Sequence, residues 1–144
     1  MNEQERYLIS HLRKDARTSL SSLSEQISMP LSTIYDKINR LHRNQVITKY
    51  TALVDFVKMG YNHHAHLALK VNKIQRKELQ LFLQKHQAVN SLHEINGGFD
   101  FWIETLHKDI KEYMAFLEGL KDNFQILALH EYQVIAEVER EKVI

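Results

Sequence analysis

The chain contains no cysteine, one proline and four glycines among its 144 residues. Without thiols there is no disulfide, no cysteine-type zinc finger and no thiol nucleophile. So little glycine and proline argues against long flexible linkers. No apolar run approaches the roughly 20 residues that a membrane-spanning helix needs. The first seventeen residues are charged throughout and lack the apolar stretch of a secretory signal. Also missing are a Gly-rich phosphate loop and the nucleophile elbow of a Ser-His-Asp hydrolase. These absences predict a cytoplasmic protein with no cofactor, no catalytic residues and no membrane partner.

What is present divides unevenly. Residues 1–50 carry eight Lys and Arg against five Asp and Glu, a net +3, whereas the remaining 94 residues are net −2. A basic head on a slightly acidic body suits a polyanion-binding unit joined to a partner-binding one. In the head, Leu8, Ile9 and Leu12 form one helical stripe, with acidic residues before it and basic ones after it, as the helix dipole favours. Leu20, Leu23 and Ile27 mark a second short helix with Ser19 as its N-cap. Ser28-Met29-Pro30 interrupts the pattern. Leu31, Ile34, Ile38 and Leu41 then mark a third helix, which Pro30 suits at its entry and Asn44-Gln45 can close. Two short helices joined by a three- to four-residue turn are a helix-turn-helix. The β-branched and aromatic residues over 46–54 predict an extended wing.

The outer face of the third helix offers Ser32, Thr33, Tyr35, Asp36, Lys37, Asn39 and Arg40. Side chains of these types bond phosphates and base edges in a major groove, and an acid there accepts from cytosine. Arg43 and Lys49 are placed to grip flanking phosphates. The same polarity also describes any solvated helix face, so periodicity alone leaves both readings open.

The second half alternates differently. Ala65, Leu67, Leu69 and Val71 against His64, His66, Ala68 and Lys70 have the period of a strand. A helix follows over 74–86 with Leu79, Phe82 and Leu83 on one side. Strands are expected over 89–96 and 99–106 around a Gly97-Gly98 turn. A helix over 109–122 would bury Ile110, Tyr113, Met114 and Leu117, and a long strand would run over 126–138. The order β-α-β-β-α-β is the ferredoxin-like split unit. The fold class is therefore α+β, with a winged helix-turn-helix over 1–55, a joint over 56–61 and a ferredoxin-like domain over 62–144. Two helices cover one face of a four-stranded sheet, so the other face calls for a second copy. A dimer would set two recognition helices about 34 Å apart, one turn of double-stranded DNA. His63, His64 and His66 share one strand, with His130 on another. Nothing in the sequence completes a ligand set around them, so no metal is assigned, and they read as residues of an interface between sheets.

Taken in order, LRKDARTSL from Leu12, PLSTIYDKINRL from Pro30 and VITKYTALVD from Val46 resemble the Lrp/AsnC (feast/famine) transcriptional regulators. The resemblance runs along the whole chain, and a proline at the turn resembles archaeal members. It implies that the segment from Leu31 to Asn44 is the recognition helix, with Ser32, Thr33 and Lys37 at matching positions. Asp36 and Gln45 depart from the family pattern, Gln45 standing where a glycine is usual. The resemblance further implies a homodimer that assembles into a tetramer or octamer. It also implies an amino acid held at a loop matched here by Asn96, Gly97, Phe99 and Asp100, with Gly98 replacing a polar residue. Two alternatives remain open at this point. Siroheme decarboxylases share both domains, and Asp36 would suit a sensor that no longer binds DNA.

Overall fold

A computed structural model describes residues 1–143. Two compact units emerge, Met1–Leu53 with the tail from Glu139, and Val54–Val138.

The first unit consists of α1 (Glu3–Lys14), α2 (Leu20–Ile27) and α3 (Leu31–Arg43). α1 starts in a reciprocal capping box. The Asn2 side chain accepts from the Glu5 N–H at 2.8 Å, and the Glu5 carboxylate accepts from the Asn2 N–H at 3.0 Å. Ser19 caps α2 by accepting from the Ser22 N–H at 3.0 Å. Between α2 and α3 the chain reverses through Ser28, which is left-handed (φ 54°). The turn is held by the Met29 N–H on the Ser24 carbonyl at 3.1 Å and by the Ser24 hydroxyl on the Met29 carbonyl at 2.6 Å. Leu8, Leu12, Leu23, Ile34 and Leu41 form the core, with Ile38 and Ile47 packed against it.

Two local expectations change here. Asn44 does not take the left-handed conformation. Its φ is −85°, and Gln45 carries the turn instead with φ 58°. The segment 46–54 forms no hydrogen-bonded strand among the described residues, because no neighbouring strand completes a ladder for it. Its start is tied to the end of α3 instead. The Val46 and Ile47 N–H groups both reach the Leu41 carbonyl, and the Tyr50 hydroxyl meets His42 Nε2 at 3.1 Å. The tail from Glu139 also belongs to this unit, where Arg13 donates to the Val143 carbonyl at 2.6 Å.

In the second unit, 56–60 form a hydrogen-bonded turn in which the Tyr61 N–H reaches the Phe56 carbonyl at 2.9 Å. The sheet strands are β1 (His63–Val71), β2 (Val89–Glu94), β3 (Phe101–His107) and β4 (Ile126–Gln133), with α4 (Arg76–Lys85) and α5 (Ile110–Asn123) between them. A short 3-10 turn, Lys73–Gln75, takes the place of the expected first turn of α4. The strand order is β2-β3-β1-β4, and every pairing is antiparallel. One face packs Leu67, Leu69, Phe101 and Ile103 against Leu79 and Leu83 of α4 and Tyr113, Phe116, Leu117 and Leu120 of α5.

α5 is therefore rotated from the expected stripe. Ile110 and Met114 are exposed, because Phe116 and Leu120 supply more apolar surface to the sheet. β4 stops at Gln133 rather than 138, since its partner β1 pairs from Ala65 to Val71 and ends the ladder there. β2 ends at Glu94 and β3 begins at Phe101. The Gly97-Gly98 pair thus sits in a wider loop closed by the Ile95 N–H on the Asp100 carbonyl at 3.0 Å, rather than in a two-residue hairpin. No described helix is long and apolar enough to cross a membrane.

Candidate nucleic-acid interface

α3 has a sharp inside and outside. Ile34 and Leu41 are buried with Ile38 beside them, and this fixes the orientation of every other side chain on the helix. Ser32, Tyr35, Asp36, Asn39, Arg40 and Arg43 come out exposed, and Thr33 and Lys37 half-buried. Lys49, on the extended segment beyond the helix, is exposed. Six of the nine residues expected from the sequence come together on one surface of the first unit, and Ser32, Tyr35 and Lys49 are not among them. Thr33, Asp36, Lys37, Asn39, Arg40, His42 and Arg43 line a single open concavity on it.

Pro30 stands at the N-cap of α3, and no side chain caps this helix. The first-turn N–H groups beside Ser32 and Thr33 therefore face outward at the positive end of a thirteen-residue helix, a setting that favours a phosphate. Arg40 behaves differently from its neighbours. Its guanidinium is paired with the Glu5 carboxylate of α1, and Glu5 is buried. The Asn2 backbone N–H and Arg40 together hold the Glu5 carboxyl below its usual range. Arg40 is thus engaged as a brace between α1 and α3. His42 contributes a further element that the sequence reading missed. It packs edge-on against Tyr50 at 5.1 Å and pins the segment that carries Lys49. Burial pushes the Tyr50 phenol above its usual range, so it stays a neutral partner.

The loop expected to hold an effector lies in the second unit. Asn96, Gly97 and Gly98 are exposed, and both glycines have positive φ, 87° and 97°, which side-chain-bearing residues adopt only at a cost. Phe99 is half-buried and packs on His130, ring to ring at 4.8 Å. Asp100 turns inward. Its carboxylate accepts from the Val71 N–H at 2.9 Å and pairs with Arg76 at 3.4 Å, while its own N–H donates to the Leu69 carbonyl at 2.7 Å. Asp100 therefore fastens the loop to the end of β1 and to α4.

The sheet face away from the helices carries His64, His66, Ala68 and Lys70 from β1. By register it also carries Trp102 and Glu104 from β3, and His130 and Tyr132 from β4. His66 stacks on Trp102 at 5.2 Å, and Trp102 lies 5.8 Å from Tyr132, ring to ring. The expectation that His64 and His66 share a face holds. His63 lies on the opposite, buried face against Tyr113, so the three histidines do not act together.

Comparisons with known proteins point one way. A winged helix-turn-helix DNA-binding family model matches residues 1–48. A Pyrococcus horikoshii protein described as an HTH-type transcriptional regulator is 31% identical over 128 residues, which cover 84% of this chain and 81% of that protein. The fold matches that of an AsnC family transcriptional regulator from Agrobacterium tumefaciens, with TM-score 0.88 and 16% identity over 100% of this chain and 96% of the other. It also matches a Neisseria meningitidis transcriptional regulator solved as a complex with L-methionine, with TM-score 0.89 and 15% identity over 97% of this chain and 93% of the other.

Proposed function

Because the chain belongs to the Lrp/AsnC family of HTH-type transcriptional regulators, and so acts by binding DNA, we propose that α3 enters the major groove with its exposed face toward the bases. The carrying observation is the exposure of Tyr35, Asp36 and Asn39 on a helix whose inner side is locked by Ile34 and Leu41. Asn39 and Lys37 read base edges, and Asp36 accepts from a cytosine amino group. Ser32 and Thr33 receive a phosphate at the helix N-terminus, and Arg43 and Lys49 hold flanking phosphates. Arg40 acts mainly by holding α3 against α1.

In this proposal the head over 1–55, the joint over 56–61 and the body over 62–144 divide the labour. The body pairs with a second copy through the face bearing Trp102 and Tyr132, and higher assemblies build on that dimer in the cytoplasm. The paired heads then read a pseudo-palindrome. An amino acid contacts the loop at Asn96, Gly97, Gly98 and Phe99, whereas Asp100 shapes the loop from within. The relatives' names are those of regulators, not of enzymes.

The test is a selection from a random duplex library, followed by salt titration against nonspecific competitor, with and without amino acids. A symmetric motif with half-sites one turn apart is expected. Enrichment of no sequence would overturn the assignment of α3 as the reading element.

A further inference from the structure

The sheet face away from the helices, which meets the second copy in the proposed dimer, holds a group of side chains that DNA binding does not use. Glu104 of β3 lies between two histidines of β1. His64 Nε2 is 2.8 Å from its Oε2, and His66 Nε2 is 3.8 Å from the same oxygen. One ligand atom from each of the three residues lies within 4.8 Å of the others. We propose that His64, His66 and Glu104 form a binding site for a divalent transition-metal ion of the zinc type.

The donor set fits that chemistry. Two imidazoles and one carboxylate, with a further position left to water, are a ligand set that zinc adopts. Bonds of about 2.0–2.1 Å in a tetrahedron place ligand atoms roughly 3.3 Å apart. The 2.8 and 3.8 Å separations straddle that spacing, so small side-chain movements would seat an ion. The carboxylate is already oriented. Its other oxygen, Oε1, accepts from the Asn90 amide and from the Ser91 hydroxyl at 3.1 Å, which leaves Oε2 facing the histidines. Outer partners of this kind tune metal affinity. Stacking on Trp102 fixes the plane of the His66 ring.

In the single chain the three side chains keep 17, 29 and 14% of their exposure. In the dimer proposed above the same face meets the second copy, so the ion would sit at that interface.

The test uses the full chain, stripped with chelator and titrated with Zn²⁺ by calorimetry, with Co²⁺ as an absorbance probe. One saturable site per chain is expected, with Mg²⁺ giving none. His64→Ala and Glu104→Gln should each abolish saturation. Asn90→Ala should weaken it roughly tenfold, as loss of an outer partner does. His130→Ala, on the same face but outside the triad, should leave it intact. In the unaltered protein, Zn²⁺ should shift the ring resonances of His64 and His66 but not those of His130, a readout that no misfolded variant can confuse. Absence of a one-per-chain site would overturn the proposal, and so would equal losses in His130→Ala and Glu104→Gln.

Discussion

The first unit closes three helices over Leu8, Leu12, Leu23, Ile34 and Leu41, whereas the second packs thirteen buried residues between a sheet and two helices. Their polar side chains differ as sharply. On α3 the exposed polar residues project outward, and among the described residues Arg40 and His42 are committed to neighbours, Glu5 and Tyr50. In the second unit the candidate residues are bound into the fold, Asp100 to Val71 and Arg76, and Glu104 to His64, Asn90 and Ser91. A small core that spares its surface can present a reading face without strain. A large core can afford to tie its polar groups inward, and these then act as geometry. Substitutions on the α3 face, Arg40 apart, should therefore change binding and leave folding alone, while those around Asp100 should change both.

The largest effect tests whether the cores stand apart. Leu23 is fully buried among five core residues, so Leu23→Ala should cost about 2–5 kcal/mol. Hydrogen exchange should show protection lost across α1, α2 and α3 while β1 and β3 keep theirs. Equal loss in both units would mean one cooperative core and break the contrast.

Acid should separate the units next. His107 is buried beside His63, Tyr113 and Phe116, and burial lowers it from 6.5 to about 4, with His63 adding to the effect. The unfolded chain takes up this proton near pH 6.5 and the folded one only near 4. Stability from this group is therefore complete above 6.5 and falls as pH drops from there toward 4. Burial lowers His63 and His86 as well, in the same sense. In the first unit the shifted carboxyl is Glu5, held below 4.5, so its contribution persists until pH falls under that value. Denaturant midpoints followed at about pH 7.5, 6 and 5 should fall for the sheet before the three helices respond. A flat sheet midpoint over that range would remove His107 as the cause.

On the reading face, Asn39→Ala should weaken binding to the selected site by about 1–3 kcal/mol through a lost base contact, with folding unchanged. Arg43→Ala should weaken all sequences alike and lower the salt slope by about one. Arg40→Ala should lower the protection of α1 as well as affinity, because it releases Glu5. An Arg40 variant that alters sequence preference alone would restore it to the reading set.

Much of this was legible beforehand, and the failures have a common cause. Periodicity, with the Gly97-Gly98 turn signal between β2 and β3, located all five α-helices and four strands among the described residues. The face of α5 was misjudged because Ile110 and Met114 continue an apolar stripe locally, and only the sheet decides that Phe116 and Leu120 fit better. The segment 46–54 has strand-forming residues but no described partner, and a ladder is not a local property. Glu104 could not be placed beside His64 and His66 without the register of β1 on β3, in which His66 pairs with Glu104. The Arg40–Glu5 brace spans 35 positions and has no signal in either helix alone.

The smallest expected effect concerns the exit from α3. Gln45 holds φ 58° where a side chain is strained, a conformation that glycine adopts freely. Gln45→Gly removes the clash of Cβ with the backbone but also loosens the unfolded chain, so the net gain should be about 0.5–1 kcal/mol. The Gln45 N–H bonds the His42 carbonyl at 3.0 Å in either variant, so the course of the following segment is kept. Thermal unfolding should therefore shift upward for the three-helix unit only, with the affinity for the selected site unchanged. A change in affinity without a change in stability would show that the Gln45 side chain itself touches DNA, and the reading surface would then extend past the end of α3.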